Sequence, residues 1–347
     1  MPADVQDESS YELDGDHSAM VLSRLPATNI MIKGQKSTYA VGKLIALGKF
    51  GGVYQVLQRV DGKRFAAKLE VCDVSSNALN MDYIVLKTAN KLRSNSTHFC
   101  ELVDRGKIEG HFKFLVMKLV GDNLHKLRLQ FQECRFSAPT ALRLALEMLE
   151  ALEELHSFGF VHRDVKPSNF AIQEEAGKTN VYLIDFGLCR QFRNSMNGEI
   201  KPPREHTQFR GTTRYASLAA HRAEEISPKD DLESWFYVVV ELMTGELPWG
   251  SHRQDEKDAV KVLKEKARID DGLVKMLAYC PRVEFCKLLK YLDGLDYNSL
   301  PDYNLCRDLI QLAMKNNEIS PNEPYDWQQL NVEDSDGQLN GEMANGH

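Results

Sequence analysis

The sequence predicts an α+β protein of two lobes, a small β-rich lobe with one main helix followed by a larger helical lobe. Three observations carry that expectation. The chain has 347 residues, a length that suits one two-lobed domain with short tails. From Tyr39 to about Met117, short β-prone runs are broken by glycines. Beyond Gly121 the apolar residues change to helical spacing: Pro139 to Phe158 places Leu142, Ala145, Leu146, Leu149 and Leu152 on one face, as a core helix requires.

In order along the chain, Leu44-Ile45, Val53 to Val56 and Arg64 to Lys68 read as strands, separated by Gly48, Gly51, Gly52 and the Asp61-Gly62 turn. Met81 to Leu92 reads as the helix of the small lobe, and His111 to Leu119 as its last strand. Two short β segments follow near Phe170 to Ile172 and Tyr182 to Ile184, then helices at 231–244, 255–267, 283–291 and 301–315. The expected domain runs over 38–330, with a small lobe of about 38–120, a large lobe of about 121–330 and a cleft between them. Residues 1–37 and 331–347 are expected to be an acidic, disordered extension and tail.

Composition supports a globular body, with 43% hydrophobic and 27% charged residues. No apolar run approaches the ~18 residues that would cross a bilayer, and Glu241 closes the apolar stretch Trp235 to Val240. No membrane insertion is expected, and no signal peptide is read in Met1 to Ser23, which has no Lys, Arg or apolar block. The seven cysteines are scattered without a CxxC pair, which favours a reduced intracellular protein over a disulfide framework or zinc site. The expected location is the cytoplasm, with the nucleus as a second compartment. The net charge of −7 arises in the tails. Six acids lie in 1–23 and four in 331–347; without them the body carries 43 basic against 40 acidic residues, a net of +3. Nucleic acid is not an expected partner.

The chemistry is concentrated in four places. His162-Arg163-Asp164 is followed by Lys166 and, five residues after Asp164, by Asn169. Such a loop offers a carboxylate to a hydroxyl proton, a lysine to a transferring phosphoryl group and an amide oxygen to Mg²⁺. Sixteen residues after Asn169 an apolar strand delivers Asp185-Phe186-Gly187, whose carboxylate is a hard ligand for Mg²⁺. Upstream, Ala46, Gly48, Gly51 and Val53 follow a glycine-loop spacing that lets backbone N–H groups approach phosphates, with Ala46 in place of the first glycine. An alanine does not easily take positive φ. Ala66-Ala67-Lys68 supplies a strand lysine, and fourteen residues on lies Asp82 as its acidic partner. Aspartate is one methylene, about 1.5 Å, shorter than glutamate, so the pair needs a closer helix or a bridging water. On that basis Asp82→Glu is expected to preserve or raise activity.

These motifs, with Asp185 to Phe192, Pro202 to Arg204, Phe209 to Thr212, Arg214 to Ser217, Asp230 to Ser234, Leu247-Pro248-Trp249 and Pro324 to Trp327, resemble the casein kinase 1 group of protein kinases, and within it the tau-tubulin kinase branch. The likeness covers roughly 38–330. Ala46, Asp82 and Ala219 depart from the group's usual pattern.

The resemblance implies a bilobal protein kinase fold, ATP and Mg²⁺, and transfer of the γ-phosphoryl group to protein serine or threonine. Asp164, Lys166, Asn169, Lys68 and Asp82 would be catalytic, and Asn169 and Asp185 the metal ligands. Ile45, Ala46, Gly48, Phe50, Gly51 and Val53 would cover ATP from the glycine loop. Ala66, Ala171 and Ile184 would sandwich the purine, Met117 would be its gatekeeper, and the Val120 backbone would meet its edge. Asp231 would brace the catalytic loop, and Thr212 would serve as a structural hydroxyl beside it. Arg214 and Arg253 would form an anion site for acidic or pre-phosphorylated substrates. The implied partners are protein substrates, acidic, phosphorylated or cytoskeletal, met by a monomeric kinase domain. The alternative is a catalytically weak kinase fold acting as a binding or scaffold module.

Overall fold

The computed structural model describes residues 15–72, 77–92, 98–175, 177–194 and 197–329. The acidic segments 1–14 and 330–347, and with them the expectation of a disordered C-terminal tail, lie outside the described residues. The chain divides into two compact units. The first holds the described residues through Asn123 together with Ser157–His162 and Ser168–Gln191; the second holds Leu124–His156, Arg163–Pro167 and the described residues from Phe192 onward.

The first unit is built on a six-stranded antiparallel sheet: β1 (Met31–Lys33), β2 (Thr38–Gly48), β3 (Gly51–Gln58), β4 (Arg64–Val71), β5 (Leu102–Ile108) and β6 (Phe112–Lys118), in the order β1-β2-β3-β4-β6-β5. Helices α1 (Gly15–Ser23) and α2 (Ala78–Lys91) accompany it. Strand β7 (Phe160–Val161) pairs with β10 (Arg190–Gln191), and β8 (Phe170–Glu175) with β9 (Lys178–Leu183). Residues two apart on a strand share a face, and so do direct cross-strand partners. Tyr54, Val56, Ala67, Leu69, Phe114 and Val116 therefore form one face, a closed apolar core. Ala46, Val53, Lys68, Ala66 and Met117 belong to the other face, through the pairs Ala46–Val53, Val53–Lys68 and Ala66–Met117.

Two expectations change here. The N-terminal extension was read as disordered through residue 37, but it is folded from Gly15: α1 and β1 send Val21, Leu25 and Ile32 into the sheet's core. An apolar sheet face must be covered, and the acidic average of the extension conceals the three side chains that cover it. Strand β5 was not expected at all, because Asp104, Arg105 and Lys107 interrupt its apolar pattern.

Asp104 explains its own presence in that strand. It is buried, and its carboxylate accepts hydrogen bonds from the N–H groups of Gln35, Lys36, Ser37 and Arg105 at 2.8–3.1 Å and from the Tyr39 hydroxyl at 3.1 Å. It thus closes the turn between β1 and β2 against β5.

The second unit is helical: α3 (Leu124–Arg128), α4 (Ala138–Ser157), α5 (Leu218–His221), α6 (Pro228–Thr244), α7 (Lys257–Lys266), α8 (Asp270–Met276), α9 (Arg282–Asp293) and α10 (Tyr303–Asn316). The apolar run Trp235 to Val240 makes α6 its central element, buried on every side. Pro228 opens this helix, Asp230 Oδ2 accepts from the Ser227 N–H at 2.9 Å, and Gly245 ends it at φ 85°. Trp235 Nε1 donates to the Ala145 carbonyl of α4 at 3.0 Å. The short helices α3, α5 and α8 escape a periodicity reading, because two turns or fewer carry too few apolar repeats. Among the described residues no helix is long and apolar enough to cross a membrane, and all seven cysteines are free.

Replacing Asp104 by alanine strands several buried donors at once. We expect a loss of about 2–3 kcal/mol of stability, with faster amide exchange at Gln35 to Ser37. Unchanged denaturation and exchange would show that the turn does not depend on this carboxylate.

Candidate active site

The first unit gathers a charged cluster on the face of its sheet that meets α2. Lys68 stands in the middle of β4, and its ammonium lies 2.6 Å from Asp82 Oδ2 of α2 and 2.8 Å from Asp185 Oδ1. The other oxygen of Asp82 accepts from the Phe186 N–H at 2.8 Å. The shorter side chain therefore reaches its lysine directly, with no bridging water, because α2 lies close to the strand. Of the two ways expected for the short side chain to make this pair, the structure uses the closer helix. Asp82 is buried, with one oxygen on Lys68 and the other on the Phe186 N–H.

The electrostatics follow from this sharing. Burial pushes the Asp82 carboxyl up to about 6, against the pull of Lys68 and with a smaller push from Asp185. Burial also acts to lower the Lys68 pKa, but the two carboxylates outweigh it and hold the ammonium above its ordinary value. Both values rise: the two carboxylates favour the charged form of Lys68, while burial and the neighbouring Asp185 favour the neutral form of Asp82.

Asp185 has φ 62°, a left-handed conformation that non-glycine residues rarely hold, and its side chain is 52% exposed. Phe186 is buried beside it, stacked on Phe99 at 5.5 Å and met edge-on by His162 at 5.9 Å. Pairing of β8 with β9 continues one step further, with the Ile184 N–H donating to the Asn169 carbonyl at 2.9 Å, so Asn169 and Asp185 are held on neighbouring backbone. One carboxylate and one amide are hard oxygen donors, and they suit Mg²⁺, which keeps much of its shell for water and phosphate. Among the described residues no cluster of three or more His, Cys, Asp or Glu forms a closed metal cage.

The residues expected around a nucleotide lie in this same unit. Ile45 and Ala46 are exposed on β2, Gly48 and Phe50 lie at the β2–β3 turn, and Val53, Ala66 and Met117 share the sheet face of Lys68. Ala46 lies on β2 beside a register shift and has no positive φ, so its backbone does not call for glycine. Gly51 has a different reason for being glycine: a Cβ would stand 1.8 Å from the Leu69 carbonyl oxygen. Ala171 is buried at the start of β8 and Ile184 is half-buried just after β9. The Val120 N–H makes no hydrogen bond among the described residues, while its neighbours are fixed by Lys118 N–H to Glu101 O and Gly121 N–H to Ile172 O. Such a backbone donor is available to a ligand.

The second unit holds Asp164 and Lys166. The Thr212 hydroxyl donates to Asp164 Oδ1 at 2.7 Å, and the Lys166 ammonium meets Asp164 Oδ2 at 3.0 Å and Thr212 Oγ1 at 3.2 Å. The backbone beneath is strained and braced. Arg163 has φ 68°, and its N–H donates to Asp231 Oδ1 of α6 at 2.8 Å, while Asp231 Oδ2 is hydrogen-bonded to His156 Nε2 at 2.8 Å. Gly211 has φ 101°, and a Cβ there would stand 2.5 Å from the Arg163 carbonyl, so only glycine lets Thr212 reach Asp164.

The two arginines expected at an anion site lie in the second unit. Arg214 is spent on the buried Glu241, Nη1 to Oε1 at 3.1 Å, and on the Gly250 carbonyl at 2.6 Å. Arg253 is 76% exposed, with Asp255 and Glu256 as its nearest carboxylates. Sequence reading missed the groups that hold this loop. Glu241, read as the end of an apolar run, also accepts from the Tyr215 hydroxyl at 2.6 Å. Lys264 of α7 is fully buried and donates to the carbonyls of Thr213 and Ala216. A lysine on an apolar helix face gives no sequence signal that distinguishes it from a surface lysine.

Asp82→Glu adds a methylene to a buried side chain. We expect overpacking to cost about 1–3 kcal/mol, read as a lower melting temperature. An unchanged or raised melting temperature would show that α2 has room to retreat.

Comparison with known proteins agrees with this geometry. The protein kinase domain family matches residues 39–299. A probable serine/threonine-protein kinase of Dictyostelium discoideum is 36% identical over 303 residues, 87% of this chain and 58% of that protein's length. The serine/threonine-protein kinase spe-6 of Caenorhabditis elegans is 32% identical over 334 residues, 93% of this chain and 84% of the relative. Casein kinase I homolog 3 of Schizosaccharomyces pombe is 32% identical over 299 residues, covering 84% and 66%. With its sheet-based first unit and helical second unit, the chain belongs to the protein kinase family, among the serine/threonine kinases.

Proposed function

We propose that this kinase is catalytically competent, with Lys68, Asp82 and Asp185 organising the nucleotide phosphates and Asp164 receiving the serine or threonine hydroxyl. The observation that supports the reading most is the Lys68 ammonium held between two carboxylates. ATP supplies the phosphoryl group, and Mg²⁺ neutralises charge on it. Lys68 would hold the α and β phosphates, and Asp185 with Asn169 would hold the metal. Asp164, fixed by Thr212 and Lys166, would orient the hydroxyl and accept its proton. The reading as a weak kinase fold rested on Ala46 and Asp82, and both are accommodated without backbone strain.

The finer assignments are part of this proposal. The motif likeness supports a place near the tau-tubulin branch of the casein kinase 1 group, and with it a cytoplasmic protein acting on acidic or cytoskeletal substrates as a monomer. Since Arg214 is committed to Glu241, acidic selectivity falls to the exposed Arg210 and Arg253 and to the positive body. Arginine holds phosphate and carboxylate through paired donors.

Radiolabelled phosphate transfer to casein tests the activity. The parent is expected to incorporate label, and Asp164→Asn and Lys68→Met to lose it roughly a hundredfold or more while circular dichroism stays native. Equal incorporation by the variants would refute these roles. In the parent the rate should fall as pH drops through about 6, where Asp82 takes up a proton and releases Lys68. The stability term has the opposite sign: a carboxyl held above its ordinary value stabilises the fold most when protonated, and that contribution declines as pH rises through about 6. A rate flat from pH 5 to 7 would exclude Asp82 as the controlling group.

Matched peptides with Asp, phosphoserine or Lys upstream of the acceptor serine test selectivity. We expect the acidic pair to exceed the lysine peptide about tenfold, and Arg210→Ala with Arg253→Ala to remove most of that margin. Equal rates in the parent would end the acidic reading.

A further inference from the structure

Helix α2 begins after Asn77, whose side chain makes no capping hydrogen bond. The second residue of the helix, Leu79, instead donates its N–H to Glu70 Oε2 at 3.1 Å. Glu70 lies on β4, two residues beyond Lys68 and on the same face of that strand. It is 4% exposed, and its other oxygen meets the Lys113 ammonium of β6 at 2.8 Å. A carboxylate at a helix N-terminus satisfies an orphan amide and is favoured by the helix dipole. One strand therefore grips one helix twice, through Glu70 at Leu79 and, three residues further along the helix, through Lys68 at Asp82.

We propose that Glu70 is a positioning residue for phosphoryl transfer. By capping α2 from β4, it sets the helix-to-strand spacing at which the short Asp82 side chain meets Lys68 and the Phe186 N–H together. The inference rests on the phosphoryl-transfer reading of Lys68 and Asp82. The reason for a cap from this strand is steric. An aspartate reaches across a gap about one methylene narrower than a glutamate does, so α2 must be held in, and the cap is the contact that holds its first turn. On this proposal a helix released from Glu70 moves outward. Asp82 then loses Lys68, whereas a glutamate at the same position regains it.

The experiment compares the parent full chain with Glu70→Ala, Glu70→Gln, Asp82→Glu and the Glu70→Ala/Asp82→Glu double variant, with Lys68→Met as control. It reads kcat and KM for ATP on casein, and amide exchange across Ala78–Lys91. Glu70→Ala is expected to lower kcat by about ten- to a hundredfold and to speed exchange in α2, and Asp82→Glu alone is also expected to lower kcat. The double variant should be more active than either single one, a reversal of sign that general destabilisation does not produce. Glu70→Gln keeps a carbonyl acceptor for Leu79 and should lie nearer the parent. If Glu70→Ala is unfolded by circular dichroism, Glu70→Gln takes its place, and Asp82→Glu should be less harmful in that background than in the parent. Additive losses, or α2 exchange unchanged in Glu70→Ala, overturn the role of Glu70 while the loss in Lys68→Met stands. A Lys68→Met variant as active as the parent overturns the phosphoryl-transfer reading and this proposal with it.

Discussion

A lysine ammonium shared by two carboxylates organises the first unit. Each charge is costly to withdraw from water by itself, and pairing makes the burial tolerable. Lys68 comes from a strand, Asp82 from a helix and Asp185 from the segment that follows β9, so the pairing is satisfied only when the three elements are in register. Asp82 adds a second condition by accepting from the Phe186 backbone, which ties the same helix to the segment carrying Asp185. The short reach of aspartate makes the arrangement less forgiving than a longer acid would. The direct 2.6 Å contact shows that the fold meets the condition by bringing the helix in, not by inserting solvent.

The second unit solves a similar problem with one helix. Asp231 and Glu241 both belong to α6, and both are buried. Asp231 holds Arg163 in a left-handed backbone conformation, and Glu241 holds Arg214 and Tyr215. A strained catalytic loop persists only when its surroundings over-determine it. Here the bracing comes from carboxylates on the most deeply buried helix, whose apolar sides fix where those carboxylates stand. The described hydroxyls of the following segment are used in the same way: Thr212 on Asp164, Thr213 on the Gln254 carbonyl and Tyr215 on Glu241. They read as structural parts of the substrate loop.

The N-terminal segment shows how an average can mislead. Its acids dominate composition, yet Val21, Leu25 and Ile32 close the core on one side of the sheet. The other side carries Lys68 and Glu70 and meets α2. Asp104 joins the two requirements, since it folds the β1–β2 turn and belongs to the strand that the turn rests against.

The sequence by itself determined the two-part architecture, because strand and helix periods are local and the glycine breaks between β2, β3 and β4 are visible in the chain. The spacing of His162 to Asn169 and of Asp185 to Gly187 was legible for the same reason: these groups sit on short turns whose residue types are dictated by their chemistry. The partnership of Lys68 with Asp82 could be read as a candidate pair but not as a distance. Only the tertiary structure decided that the aspartate reaches directly, that Arg214 pairs with Glu241, and that Lys264 and Glu241 support the substrate loop. Those outcomes depend on how far apart two elements pack and on which charge a buried side chain meets. Neither quantity is encoded in the spacing of residues along one strand or one helix.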